Sequence, residues 1–379
     1  MPFSRPSIGP DEIREVTACL ESGWITTGPR VQRFEQALAE YLGAPHVLAL
    51  SSATAGLHLA LLALGLGEGD EVITTPLTFA ATLNTIVLAG GRPVLVDIDP
   101  GSLNLDVMKI EAAVTARTKA IVPVHFAGRP VDLDPLYDLA ARHGLRVVED
   151  AAQAIGAEYR GRRLGAFGDI QVFSFHPNKN ITTGEGGCVV TRDPAVAKIV
   201  STLRFHGIDR EAWTRHAKGG SPHYAVVAPG FKYNMMDIQA ALGIHQLPRL
   251  DGFNLRRRVL AERYQQQLQD WPEWTLPGKS MYPHRHAWNL YTPLINPVAA
   301  GMDRDTFMQR MTDCGIGTGL HYQAIHLHPY YAEHFGFRRG DYPAAEAASD
   351  RIVSLPLFPD MTDADQDRVI SAMAGLFRR

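Results

Sequence analysis

The sequence predicts an α/β fold, a large domain with a mostly parallel central sheet sandwiched by helices, followed by a smaller C-terminal α+β domain. From His46 to about Val200, short apolar runs alternate with helical patterns, as parallel strands joined by helical crossovers do. After roughly Leu250 the rhythm changes to a charged helix and an aromatic, proline-rich stretch. At roughly 150 residues per domain, the 379-residue chain has room for both parts. The expected division is 1–250, an arm plus the large domain, and 251–379, the small domain.

In chain order, the first forty residues read as an arm packed on one or both domains. Strands are expected over 46–50, 71–75, 93–97, 120–124, 146–149, 171–175 and 187–191. Between the first two, Leu57, Ala60, Leu61 and Leu64 fall at i, i+3, i+4 and i+7, one apolar helix face. The uncharged run 73–91 has the length of a membrane span but carries Thr74, Thr75, Pro76, Thr78, Thr82, Asn84 and Thr85. That content is too polar for a span, so it reads as a strand end, a loop and a buried helix. Further helices are expected near 106–114, 133–143 and 194–205, with Gly144 and Gly207 as stops. Beyond 250 come a helix over 256–269, a strand near 289–295, and helices around Asp305 and Asp363.

Lys and Arg number 37 against 40 Asp and Glu, a formal charge of −3 with no block of one sign. This argues against a nucleic-acid or membrane-surface binder driven by bulk charge. Cys19, Cys188 and Cys314 form no CxxC pair, so neither a disulfide framework nor a cysteine zinc site is supported. A reducing, cytoplasmic setting is expected. The opening Met-Pro-Phe-Ser-Arg-Pro lacks a basic segment followed by an apolar one, so no secretory signal is expected.

Three segments carry chemistry. In Val147-Val148-Glu149-Asp150, an apolar strand ends in an acid, and ligands of open α/β sheets bind beyond the carboxyl ends of strands. Asp150 is therefore either a ligand contact or a helix N-cap. Ser51-Ser52-Ala53-Thr54-Ala55-Gly56 joins a strand to an apolar-faced helix, either as a phosphate site or as a plain cap. Lys179 follows one apolar strand and precedes a glycine-rich turn into another. Most lysines are solvated, but one desolvated there would have a lowered pKa and serve as a nucleophile. A Schiff-base amine, an acid for a pyridinium nitrogen and an anion site together suggest pyridoxal phosphate. Other signals are weak. Gly65-Leu66-Gly67-Glu68-Gly69 precedes a strand, Gly278-Lys279-Ser280 lacks the earlier glycine of a phosphate loop, and Pro329 breaks the His321, His326, His328 cluster as a metal set. No metal is expected.

These segments resemble the sugar-nucleotide aminotransferases of the fold-type I, pyridoxal-phosphate-dependent class (DegT/DnrJ/EryC/StrS-like). The match takes in Glu21 to Pro29, Ser51 to Leu59, Gly69 to Ile73, Glu149 to Gln153, Ser174 to Gly187 and Tyr233-Asn234. Lys179-Asn180-Ile181-Thr182, His286-Ala287-Trp288, 315–321 and 354–362 are similar to the branch that makes UDP-4-amino-4-deoxy-L-arabinose for lipid A modification. That branch has Trp, His and Cys-Ala where this chain has Phe79, Gln153 and Thr183-Gly184.

The resemblance implies roles. Lys179 would carry the cofactor and Asp150 would pair with its ring nitrogen, the two catalytic residues. Gln153 would lie near the phenolic oxygen and Phe79 would stack on the ring. Thr54, Ala55 and Ser174 would hold the phosphate, and Asn234 would reach in from the partner of a homodimer. Apart from the resemblance, Trp24, His321 and His326 are candidate substrate contacts, and His321, His326 and Arg204 are local donors expected to meet the diphosphate. L-glutamate would be the donor and a keto sugar nucleotide the acceptor, either a UDP-4-keto-pentose or a 4-keto-6-deoxy hexose. Lys179 argues against the dehydratase branch, which has histidine there. A silent cofactor-binding relative and a nicotinamide-linked oxidoreductase are the competing classes. The first is disfavoured by Lys179 with Asp150, the second by the absence of a glycine-rich turn at 51–56.

Overall fold

The computed structural model describes residues 1–209 and 223–377. Its strands are β1 (His46–Leu50), β2 (Glu71–Thr74), β3 (Arg92–Leu95), β4 (Thr118–Ile121), β5 (Arg146–Asp150), β6 (Glu158–Tyr159), β7 (Arg162–Arg163), β8 (Ile170–Ser174), β9 (Gly187–Thr191), β10 (Trp274–Thr275), β11 (His284–Arg285) and β12 (Leu294–Ile295). Seven of them form one sheet in the order β1-β9-β8-β5-β4-β2-β3. The pairs from β8 through β5, β4 and β2 to β3 are parallel, whereas β9 runs antiparallel to both β8 and β1.

The described helices are α1 (Pro10–Glu21), α2 (Pro29–Leu42), α3 (Ala53–Ala63), α4 (Ala80–Leu88), α5 (Leu133–His143), α6 (Pro194–Leu203), α7 (Asp237–Gln246), α8 (Leu250–Leu268), α9 (Pro297–Ala300), α10 (Arg304–Asp313), α11 (Pro329–Phe335), α12 (Pro343–Ser349) and α13 (Asp363–Leu376). Alternation along each strand explains the layers, because successive side chains point to opposite faces. Ile73, Ile121 and Val147 join Phe34, Leu38, Leu136 and Ile244 on one face. Their neighbours Val72, Val122 and Val148 join Leu57, Leu61, Ile86 and Val200 on the other. Each such side chain, fully buried, stabilises the fold by roughly 1.5–3 kcal/mol.

A third core after residue 250 gathers Tyr264, Trp274, Phe307, Met311, Leu355 and Met373. The first forty residues touch both regions. The Met1 carbonyl accepts from the Gly317 N–H at 2.9 Å, while Gln246 Nε2 and Arg249 Nη1 reach Glu12 Oε1 at 2.6 Å.

Two local expectations fail for physical reasons. Residues 106–114 make not a helix but two 3₁₀ turns, Val107–Lys109 and Glu111–Ala113. Asp106 caps the first by accepting from the Met108 N–H at 3.1 Å, and Val114 is already extended. Of 289–295, the two-residue β12 pairs with β10. Pro293 has no N–H for a longer ladder. Among the described residues, no helix is long and apolar enough to cross a membrane.

Candidate active site

The carboxyl ends of β5 and β8, the start of α3 and the start of α4 converge on a cavity of about 430 Å³. It is lined by, among others, Thr54, Phe79, Asp150, Gln153, Lys179 and Tyr322. Ser174 and His321 also face it.

Asp150 closes β5 and is buried. Its Oδ2 accepts from Thr82 Oγ1 at 2.8 Å and its Oδ1 from the Ala152 N–H at 3.1 Å. Burial pushes its carboxyl above the usual range, against those two bonds and the Lys179 charge, which favour the ionised form. A cation brought into the cavity beside it would strengthen that preference for ionisation. The preceding Glu149 points to the other face, where its carboxylate accepts from Tyr137 Oη at 2.6 Å and Gln171 Nε2 at 2.7 Å. His125 Nε2 lies 2.8 Å from it. The Val131 N–H donates to His125 Nδ1 at 3.0 Å, which leaves the ring proton on Nε2 to donate to Glu149.

Lys179 sits on the turn between β8 and β9, half-buried in the cavity wall. Burial lowers its amine to about 8, with the Asp150 charge opposing the shift. A free amine is thus populated near neutral pH.

Ser52 Oγ caps α3 by accepting from the Ala55 N–H at 3.0 Å, so the segment is a cap. The first N–H groups of a helix have no partner within it, and Ala53 and Thr54 line the cavity. The same turn therefore retains an anion-holding capacity. Glycines make this approach possible. A Cβ on Gly187 would lie 2.5 Å from the Ala53 nitrogen, and one on Gly56 would lie 2.7 Å from Val172 Cγ1. Amine, acid and helix start occupy one cavity, a donor set that fits a pyridine ring carrying a phosphate.

The walls add residues that the sequence did not single out. Gln153 Oε1 accepts from the Ala127 N–H at 2.6 Å, and its Nε2 donates to Tyr322 Oη at 2.5 Å. Burial, with Asp150 nearby, raises the Tyr322 phenol, keeping it protonated. Tyr322 and Thr82 carried no local signal, since each acquires its role only by meeting residues distant in the chain.

Phe79 is 59% exposed at the start of α4, with its ring open to the cavity. His321 Nδ1 meets Ser354 Oγ at 2.8 Å, and burial and the Lys179 charge lower its imidazole to about 4. His321 is therefore a neutral hydrogen-bonding group, not a cation.

Five candidates lie away from the cavity wall, the first being Ala55, whose N–H is taken by Ser52 Oγ. His326 is fully buried, its Nε2 3.0 Å from Glu346 Oε1, and that pairing replaces the expected substrate contact. Trp24 Nε1 donates to the Thr27 carbonyl at 3.1 Å. Asn234 Nδ2 donates to Thr27 Oγ1 at 2.5 Å, and Asn234 Oδ1 accepts from Lys232 Nζ at 2.7 Å. Arg204 is buried, bonded to Glu35 at 2.5 Å and to the Ala49 carbonyl at 3.1 Å, and so is not placed to meet a diphosphate in this cavity. Among the described residues, no group of three or more His, Cys, Asp or Glu side chains is arranged to hold a metal ion.

A mostly parallel sheet with a lysine, an acid and a helix start at its carboxyl edge defines a pyridoxal-phosphate transferase. The chain belongs to the DegT/DnrJ/EryC1/StrS aminotransferase family, whose model matches residues 6–374. It is 47% identical over 382 residues to the spore coat polysaccharide biosynthesis protein SpsC of Bacillus subtilis (strain 168), covering 100% of this chain and 97% of that protein. The structure is similar to Spr1654 of Streptococcus pneumoniae in its PMP form, with TM-score 0.92 and 32% identity over 100% of this chain and 99% of that one. Spr1654 is also known in a PLP form. A further similar structure is Helicobacter pylori PseC, an aminotransferase involved in the biosynthesis of pseudoaminic acid, with TM-score 0.91 and 29% identity over 99% of this chain and 98% of that one. The protein is a pyridoxal-phosphate-dependent sugar aminotransferase.

Proposed function

We propose that the enzyme moves the amino group of L-glutamate to a 4-keto sugar nucleotide, using pyridoxal 5′-phosphate held by Lys179. The observation that carries this reading is the meeting of Lys179, Asp150 and the first turn of α3 in one cavity. The bound cofactor supplies an electron sink for the electrons of the donor's Cα–H bond. Asp150 keeps a proton on the ring nitrogen through a charge-assisted bond. The Lys179 amine, lowered to about 8 by burial, would serve as the general base and acid that moves the proton of the donor's Cα–H bond. Thr54, Ala55 and Ser174 would hold the phosphate, Phe79 would stack on the ring, and Gln153 would meet its oxygen. His321, on the cavity wall, would contact substrate.

Asn234 belongs to the site of the second subunit in a homodimer. Ile13, Leu20, Ile25 and Met236, 42–60% exposed on α1, the loop after it and the start of α7, support a partner there. Residues 1–250 form the cofactor-binding domain and 251–379 the small one. The setting is the cytoplasm.

Two acceptors are in contention. The motifs around Lys179, His286 and Gly315 support a UDP-4-keto-pentose, giving UDP-4-amino-4-deoxy-L-arabinose for lipid A. The name of the 47% identical SpsC, a spore coat polysaccharide biosynthesis protein, supports a role in a surface polysaccharide, for which the acceptor would be another keto sugar nucleotide such as a 4-keto-6-deoxy hexose.

The test is the absorption spectrum of the cofactor-loaded protein before and after L-glutamate, with no acceptor present. Conversion to the pyridoxamine form is expected, and Lys179→Ala should abolish both attachment and conversion. A spectrum unchanged by glutamate overturns the donor, and turnover in Lys179→Ala overturns the reading of the lysine. Product analysis with the two acceptor types then decides between them.

A further inference from the structure

The turn that carries Lys179 is gripped from a segment more than a hundred residues away. Asn289 Nδ2 donates to the Asn178 carbonyl at 2.9 Å. Asn180 Nδ2 donates in return to the Ala287 carbonyl at 2.7 Å and to Asn254 Oδ1 at 2.6 Å. The two segments thus exchange side-chain amides, and the lysine sits between the two residues that are held. Both asparagines are 2% exposed, and both Oδ1 atoms are buried without a partner.

The gripping segment is itself fixed on both sides. Nη1 of the fully buried Arg257 donates to the carbonyls of Trp288, Asn289 and Leu357 at 3.4, 3.1 and 2.9 Å. On the other side the Ala287 N–H donates to the Gly128 carbonyl at 2.9 Å and the Leu290 N–H to the Ala127 carbonyl at 3.3 Å. Ala127 in turn donates its N–H to Gln153 Oε1. One segment therefore ties the Lys179 turn to the Gln153–Tyr322 wall.

We propose that Asn180 and Asn289 are positioning residues that set the reach of Lys179, with 287–290, anchored by Arg257, as the brace between the lysine turn and Gln153. This rests on Lys179 being the cofactor-bearing amine. Neither asparagine lines the cavity, so any effect on the chemistry passes through what they hold, the lysine turn directly and the Gln153 wall through 287–290. Displacement of a reacting group by about 1 Å costs roughly 10²-fold in rate.

The test uses the full chain with and without pyridoxal phosphate, comparing wild type with Asn289→Ala and Asn180→Ala, which break the exchange from opposite sides. Borohydride should still trap the cofactor on Lys179 in both. The pH midpoint of the bound cofactor's visible absorption should shift, and the backbone amides of 178–183 should exchange hydrogen faster even without cofactor. The glutamate half-reaction should slow by roughly 10²-fold in its maximal rate at an unchanged KM for glutamate. An unchanged midpoint and unchanged exchange in whichever variant folds overturn the proposal, as does a loss confined to thermal stability. Cofactor trapped on Lys179→Ala would instead overturn the reading of the lysine, while the exchange data on the cofactor-free protein still judge the brace.

Discussion

At the scale of single residues, burial shifts Lys179 from a surface-type cation towards the free amine that its proposed role requires. Its charged form is favoured only below about 8 rather than up to the ordinary lysine value of 10.5. The rate at which pyridoxal phosphate attaches to the cofactor-free protein should therefore climb with pH through about 8 and level off above it. A stopped-flow pH profile that keeps rising towards 10.5 would contradict this. The sign for stability follows from the same shift. Because the folded pKa is depressed, the group's stabilising contribution is fully present above the unfolded value and is lost as pH falls from about 10.5 to about 8. Lys179→Met should remove that slope. Asp150 shifts in the opposite sense, since burial raises an acid and lowers a base.

At the scale of elements, the site depends on how closely α3 can approach β9. Gly187 supplies the missing side chain, and a Cβ there would press on Ser52, Ala53 and the Phe173 carbonyl, all backbone. Backbone cannot step aside as a long side chain can. Gly187→Ala should therefore destabilise the fold by about 1–3 kcal/mol, read as a lowered melting temperature, and weaken cofactor affinity together with it. Ser174→Ala, which touches the cavity without crowding the backbone, should change affinity with little effect on melting.

Elements with a full local pattern were legible in the sequence. Leu133–His143 has its apolar face and Gly144 in the left-handed cap, and β1 and β9 keep the bounds read from their apolar runs. Residues 106–114 misled because an apolar period says nothing about whether Asp106 tightens the first turn into a 3₁₀ form. Within the candidate site, Asp150 and the Ser52 turn were readable because each sits at a strand or helix end, and Lys179 because it lies on a turn flanked by two apolar strands. Tyr322, Thr82 and Asn289 were not, because a hydrogen bond across 68 to 169 residues leaves no mark on either neighbourhood. His326 shows the converse error, since a histidine near a motif was satisfied by Glu346 inside the core.

At the scale of the molecule, the proposed homodimer, with Asn234 completing the partner's site beside the exposed apolar side chains of α1 and α7, would put assembly and catalysis in one equilibrium. Specific activity should fall on dilution at the concentration where sedimentation shows monomers appearing, and added cofactor should delay both. Activity that persists in a monomer would remove Asn234 from the site.

The antiparallel edge of the sheet also bears on how the chain is made. β1 pairs residue for residue with β9, His46 with Thr191 through Leu50 with Gly187. On a ribosome, β1 emerges about 140 residues before its neighbour, roughly ten to thirty seconds earlier at ordinary elongation rates. For that interval an apolar strand has a bare hydrogen-bonding edge, the kind of surface that recruits other nascent chains. α2 is already out by then, and Phe34, Leu38 and Leu42 share a core with Val47 and Ala49. Packing of α2 would therefore cover the apolar face of β1, though not its hydrogen-bonding edge, until β9 is synthesised.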